Sequence, residues 1–166
     1  RMWTAVVNDG WPVTIPDHQG PLSAFSSSFI HGHASLDAIR ATLNFEQLKL
    51  DPKSAVVGMG YSGGAIAGGW AASLLGSYAT ELNVVGWSIG GTPSNDTGTF
   101  YGLDGSLFSG FSVAGVAGIV DSYPEVNDYV GSVITPAGNA ALQFTREHCM
   151  GDIVVGLQNV NLTGKD

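Results

Sequence analysis

The chain has 166 residues, 44% of them apolar and 12% charged, with 24 glycines and 6 Lys+Arg against 14 Asp+Glu for a net charge of −8. That length carries one domain with a real core, and that composition excludes a disordered chain. The acidic balance, with no cluster of Lys or Arg, excludes nucleic acid as a partner and charge-driven recruitment to anionic headgroups; uncharged substrates and neutral lipid surfaces stay open.

No apolar run approaches the ~20 residues that span a bilayer. Arg1-Met2-Trp3 leads into no continuous hydrophobic stretch of the signal-peptide kind. Met2 to Asn8 reads as the last turns of a helix, stopped by Asn8-Asp9-Gly10. No cap or start signal precedes it, so Arg1 is expected to be a cut end. Trp11 to Ile15 reads as a short strand between Pro12 and Pro16, and Asp17 to Ser28 as a long loop. Ser35 is the expected N-cap of a helix reaching about Leu48, with Leu36, Ile39 and Leu43 on one face.

Asp51-Pro52-Lys53 makes a turn, and Ser54 to Met59 reads as a buried strand. A helix from Ser62 to about Tyr78 follows, its first half small-sided (Ala65-Ile66-Ala67-Gly68-Gly69), which suits close packing on a sheet. Asn83 to Ser88 is a further strand, ending in Gly90-Gly91-Thr92-Pro93. Strand, helix, strand, helix, strand implies an α/β fold with right-handed crossovers and a parallel sheet. Beyond Thr92 the pattern is helical: Leu107 to Val120, Pro124 to Ile134 and Pro136 to His148, with Asp152 to Val160 apolar and of undecided type. Residues 1–92 are therefore expected to form the sheet core and residues 93–166 a mostly helical insertion.

Two motifs overlap at residues 58–64. Gly58-Met59-Gly60-Tyr61-Ser62-Gly63 fits the G-x-G-x-x-G of a dinucleotide-binding turn, and Gly60-Tyr61-Ser62-Gly63-Gly64 fits the G-x-S-x-G of a nucleophile elbow. The dinucleotide reading wants an acidic residue about 20 positions on, at the end of the next strand. Glu81 has the spacing but precedes its strand, and a strand and helix (Trp11 to Leu48) already come before the turn that ought to open such a domain. The elbow reading asks for Gly60 and Gly64 as side-chain-free neighbours of a strained Ser62, with the N–H of Gly63 at the start of a helix as oxyanion donor. A non-catalytic α/β domain that binds a dinucleotide or a partner at Gly58–Gly64 is the alternative, and a hydrolase fold without catalysis is a third.

Gly60-Tyr61-Ser62-Gly63-Gly64-Ala65, Trp70-Ala71-Ala72-Ser73-Leu74, Tyr78-Ala79-Thr80-Glu81-Leu82-Asn83, Val84-Val85-Gly86 and Gly90-Gly91-Thr92-Pro93 together resemble the fungal secretory lipases related to Candida antarctica lipase A. Gly20-Pro21, Ala24-Phe25, Leu36 to Ala41, Phe108-Ser109-Gly110-Phe111 and Ala114 to Gly118 extend the likeness in the same order. The resemblance implies a partial α/β-hydrolase fold with a helical cap inserted after the strand near Ile89. It implies hydrolysis of carboxylic esters, triacylglycerols included, through an acyl-enzyme on Ser62, by a secreted protein that needs no cofactor. It also implies that the triad Asp and His lie beyond this segment, that the second oxyanion contributor lies before Arg1, and that Cys149 is bonded to a cysteine in the preceding part. The remainder of the same polypeptide is then a partner, and the segment alone is expected to be inactive.

The remaining polar candidates have plainer readings. His148, near Asp152, reads as structural or surface. His31-Gly32-His33 has alternating spacing but no third ligand, so no metal is expected. His18 with Asp17 reads as lining rather than catalytic, and Trp3, Trp11, Trp70 and Trp87 as packing. Asn95-Asp96-Thr97 and Asn161-Leu162-Thr163 are sequons compatible with N-glycosylation of Asn95 and Asn161.

Overall fold

The computed structural model describes the backbone of residues 2–164 and side chains from residue 4 onward. Whether Arg1 is a cut end and how Trp3 packs lie outside the described residues. In chain order the helices are α1 (Met2–Asn8), α2 (Ser28–Leu43), α3 (Gly63–Tyr78), α4 (Asp96–Leu103), α5 (Ser109–Ser122), α6 (Pro124–Val133), α7 (Pro136–Glu147) and α8 (Met150–Gly156). The strands are β1 (Val56–Tyr61) and β2 (Val84–Gly90), and they pair in parallel with Gly58 opposite Trp87, Gly60 opposite Ile89 and Tyr61 opposite Gly90.

The α3 helix is the crossover between them. Its small residues Ala65, Ala67, Gly68 and Ala71 are buried, and on the sheet side a Cβ added at Gly68 would lie 3.0 Å from the Ile89 side chain. On its other side α3 meets α2. There Gly32 lets two backbones touch, since a Cβ on it would come within 2.9 Å of the Trp70 backbone. Leu36, Ile39, Leu43, Ala71 and Ala79 form the core of this half, with Trp87 packed against it. A second core, Val113, Ala114, Ala117, Leu142, Ile153 and Leu157, joins α5, α7 and α8.

Several expectations need correction. Trp11–Ile15 joins no strand ladder among the described residues; its Val13 and Thr14 instead line an open apolar groove of about 300 Å³ with Ala41, Thr42, Phe45 and Leu48 of the α2 region. A β-branched run between prolines becomes a strand only where a partner supplies hydrogen bonds. The α2 helix starts at Ser28, not Ser35, because the Gly32 contact and a buried hydrogen bond from His31 draw those residues into the helix. It ends at Leu43, and Glu46–Leu48 is a separate 3-10 turn closed by Lys49 at φ +50°.

The first strand is not buried on both faces. Val57, Met59 and Tyr61 point away from α3, and Tyr61 is 70% exposed. Parallel sheets are normally covered on both sides, and the described residues cover one. The α4 helix, started by the Asn95 side chain accepting from the Gly98 N–H at 2.8 Å, had no periodic apolar signal to announce it. The undecided stretch after Asp152 is the helix α8, running into an irregular tail.

Asp104 ties down that tail. Its carboxylate accepts from the N–H of Leu162 (2.7 Å) and from the N–H and hydroxyl of Thr163 (3.1 and 2.7 Å). Burial pushes the Asp104 carboxyl up, but these bonds and the Gly105 N–H outweigh it and hold the group below its usual range. A depressed carboxylate contributes stability that is complete above the unfolded value and is lost as pH falls through the folded one. Amide exchange at Leu162 and Thr163 is therefore expected to accelerate, beyond the intrinsic pH dependence, as pH falls below about 4. Asp104→Asn should show fast exchange there at neutral pH, and unchanged protection in that variant would refute the tether.

Candidate active site

The strand β1 delivers the chain to a sharp turn. The Ser62 N–H still donates to the Gly90 carbonyl of β2 at 3.0 Å, and α3 begins one residue later. Between those two constraints Ser62 is forced to φ +53°, ψ −116°, a region that non-glycine residues rarely adopt. Such a conformation costs roughly 1–3 kcal/mol and persists only where the surroundings over-determine it.

The surroundings are specific. A Cβ on Gly60 would lie 2.1 Å from the Gly64 carbonyl oxygen and 2.4 Å from its carbon, so strand and helix approach each other at van der Waals limits. The two glycines are not equivalent, however: a Cβ on Gly64 would meet nothing within 4 Å. The sequence pattern treats them alike, but in the fold only Gly60 is sterically obliged by this segment.

The Ser62 hydroxyl is exposed and makes no helix-capping bond. Its carbonyl accepts from the N–H groups of Ala65 and Ile66 at 2.9 and 3.0 Å. The N–H groups of Gly63 and Gly64, in the first turn, have no intrahelical acceptor. No acidic residue sits in that turn to compete for them, so the positive end of a 16-residue helix faces the space beside the Ser62 hydroxyl. An exposed hydroxyl next to unspent N–H donors can attack a carbonyl and hold the oxyanion that forms.

The geometry runs against a dinucleotide cradle. A Cβ on Gly58 would fall 2.0 Å from the Trp87 ring, so that glycine accommodates an indole rather than a pyrophosphate. Glu81 is spent on Arg40, whose guanidinium also bonds Asp37 and the Tyr78 carbonyl and lies over the Tyr78 ring. Trp11–Ile15 forms no preceding strand, so it is the packing of Gly58 and Glu81, not the order of strands, that opposes such a cradle.

The other candidate residues are dispersed. Asn95 caps α4 at the surface, and Asn161 lies exposed in the tail, its side-chain oxygen accepting from Thr163 and Gly164. Cys149 is exposed and unpaired, at the N-cap of α8. His148 stacks on Phe144 at 3.9 Å and bonds its carbonyl. His33 sits between Phe29 and Tyr78, with Nδ1 on the Phe29 carbonyl. His31 is fully buried, with Nε2 on the Ala24 carbonyl and its ring edge-on to His18, so the His31-Gly32-His33 pair does not converge on a metal.

Nothing in its chemistry marks Phe25 in the sequence. Its ring lies 3.4 Å from where a Gly63 Cβ would be, and its backbone is pressed on α5 so closely that a Cβ on Gly118 would come 2.2 Å from its carbonyl oxygen. The contact joins residues far apart in the chain, and no local pattern signals it.

A family model described as secretory lipase matches residues 2–166. Among curated proteins, the secreted triacylglycerol lipase LIP5 of Malassezia globosa is 98% identical over 165 residues, which cover 99% of this chain and 35% of that protein. The secreted triacylglycerol lipase LIP1 of Malassezia furfur is 50% identical over 149 residues, 90% of this chain and 30% of that protein. The X-ray structure of Candida antarctica lipase A in its closed state superposes with a TM-score of 0.91 at 37% identity, over 97% of this chain and 37% of that one. The chain thus spans about a third of the length of the curated relatives it matches. Its two-stranded parallel sheet and crossover helix are a partial α/β-hydrolase fold.

The asymmetry of the two glycines is testable. Gly60→Ala should lower stability by about 1–3 kcal/mol through overpacking. Gly64→Ala should be neutral or stabilising by up to about 1 kcal/mol. Equal urea midpoints for the two variants would contradict the geometry.

Proposed function

The chain belongs to the secretory lipase family, and on that premise we propose that it is the nucleophile-bearing part of a secreted carboxylic ester hydrolase acting on triacylglycerol-type lipids. The observation that carries the reading is the strained, exposed Ser62 between β1 and α3, with the unspent N–H of Gly63 beside it. The names of the relatives, secreted triacylglycerol lipases, support the substrate class and the extracellular location.

In this reading the Ser62 hydroxyl attacks the ester carbonyl while a histidine, oriented by an acid, takes its proton. In this reading both of those groups belong to the remainder of the polypeptide, beyond residue 166. The oxyanion of the tetrahedral intermediate accepts from the Gly63 N–H and is favoured by the positive end of α3. Collapse expels the alcohol, which takes back the proton, and leaves an acyl group on Ser62 for water to remove. Residues 1–92 serve as the sheet core and residues 93–166 as a cap over the acyl chain.

The rest of the polypeptide is also what the uncovered Val57, Met59 and Tyr61 face calls for. The exposed Cys149 fits a disulfide to that remainder. N-glycosylation at Asn95 is sterically open, because the cap bond uses the side-chain oxygen and the modification uses the nitrogen; Asn161 is exposed as well.

The expected result is that Ser62→Ala in the complete polypeptide lowers kcat for ester hydrolysis by about 10⁴-fold or more with KM little changed. Residual activity within about tenfold of wild type would remove Ser62 from the reaction. Residues 1–166 alone, without the base, should turn over no ester.

A further inference from the structure

Residues 17–28 form a strap that passes between the Ser62 turn and α5, and it is tied by a buried imidazole. His31 of α2 has no exposed surface, and its Nε2 lies 2.6 Å from the Ala24 carbonyl. A carbonyl only accepts, so Nε2 carries the proton and Nδ1 of the neutral ring is a bare acceptor. That Nδ1 is buried without a partner. An apolar side chain would avoid this cost, so the residue is accounted for by what its one bond holds.

What it holds is the strap at Ala24, itself buried, and therefore Phe25. Ser23 and Ser26 on either side have positive φ, +47° and +67°, conformations that depend on being held from outside. The ring of Phe25 rests on Gly63 and its backbone on Gly118. Ser27 fastens the far end, its Oγ 2.9 Å from Ser122 Oγ and 3.2 Å from the Gly118 carbonyl.

We propose that His31 is a positioning residue for the reaction at Ser62: through Ala24 it seats Phe25 against Gly63 and so fixes the first turn of α3 that presents the oxyanion donor. The proposal rests on Ser62 being the nucleophile.

Acid should loosen the device. Burial lowers the affinity of His31 for a second proton, the Ala24 bond opposes this and His18 adds to it. A proton on Nδ1 would find no acceptor among the described residues, and the His18 ring stands edge-on to the imidazole with its centroid 4.8 Å away. The other titratable groups of α2 and the strap are engaged elsewhere: His33 with the Phe29 carbonyl, Asp37 with Arg40 and Tyr78, and Asp17 with the Gly20 N–H. The only one on α3 is Tyr78, whose hydroxyl is on Asp37, and the only one on α5 is Asp121, paired with Arg146.

The test is the rate at which a serine-directed phosphonate labels Ser62 in the complete polypeptide, followed by mass spectrometry across pH. His31→Leu, which cannot donate to Ala24, should label at least about tenfold more slowly while remaining folded by circular dichroism, and His31→Gln, which can donate, should stay within about threefold of wild type. His31→Gln should also lose an acidic step that wild type shows, while the step of the catalytic base persists in both. If His31→Leu fails to fold, Phe25→Ala decides, and it too should label slowly. Wild-type labelling rates in a folded His31→Leu or in Phe25→Ala would overturn this inference alone. A wild type that takes no label at Ser62 would overturn the nucleophile reading together with it.

Discussion

The approach of Gly60 to the Gly64 carbonyl is the constraint on which the rest depends. With β1 still hydrogen-bonded to β2 through the Ser62 N–H, and α3 starting at the next residue, the chain has one residue in which to reverse. That residue takes the positive φ and carries an outward hydroxyl. The small side chains of α3 follow from the same demand, because a helix that starts against the strand must lie close to the sheet along its length. Gly58 and Gly68 then leave room for Trp87, which closes the sheet against α3.

A second dependency runs through the strap. The core beneath α2 and α3 and the core among α5, α7 and α8 are separate clusters, and Phe25 packs against the second while its ring touches the first turn of α3. Whatever moves α5 therefore has a direct mechanical route to the residue beside the nucleophile. The buried His31 bond is the point at which that route is anchored.

Legibility in the sequence followed the locality of the physics. The α3, α6 and α7 helices ended within a residue of their expected bounds, because Gly and Pro punctuation and 3.6-residue periodicity act within one element. The Ser62 turn was legible for the same reason: its demand for glycine at position 60 is met two residues away. What the sequence hid was non-local. The early start of α2 depends on Trp70 packing on Gly32, the absence of a strand at Trp11–Ile15 on a missing partner, and the role of Phe25 on glycines at positions 63 and 118. The half-exposed β1 carries an apolar run that reads as buried, and the described residues leave its outer face uncovered.

The most direct test of the central claim is a crystal structure of the complete polypeptide after reaction with an alkyl phosphonate. The account predicts phosphorus bonded to Ser62 Oγ, with the phosphonyl oxygen accepting from the Gly63 N–H and Ser62 keeping its positive φ. Phosphorus on any other residue, or a phosphonyl oxygen turned away from Gly63, would contradict it.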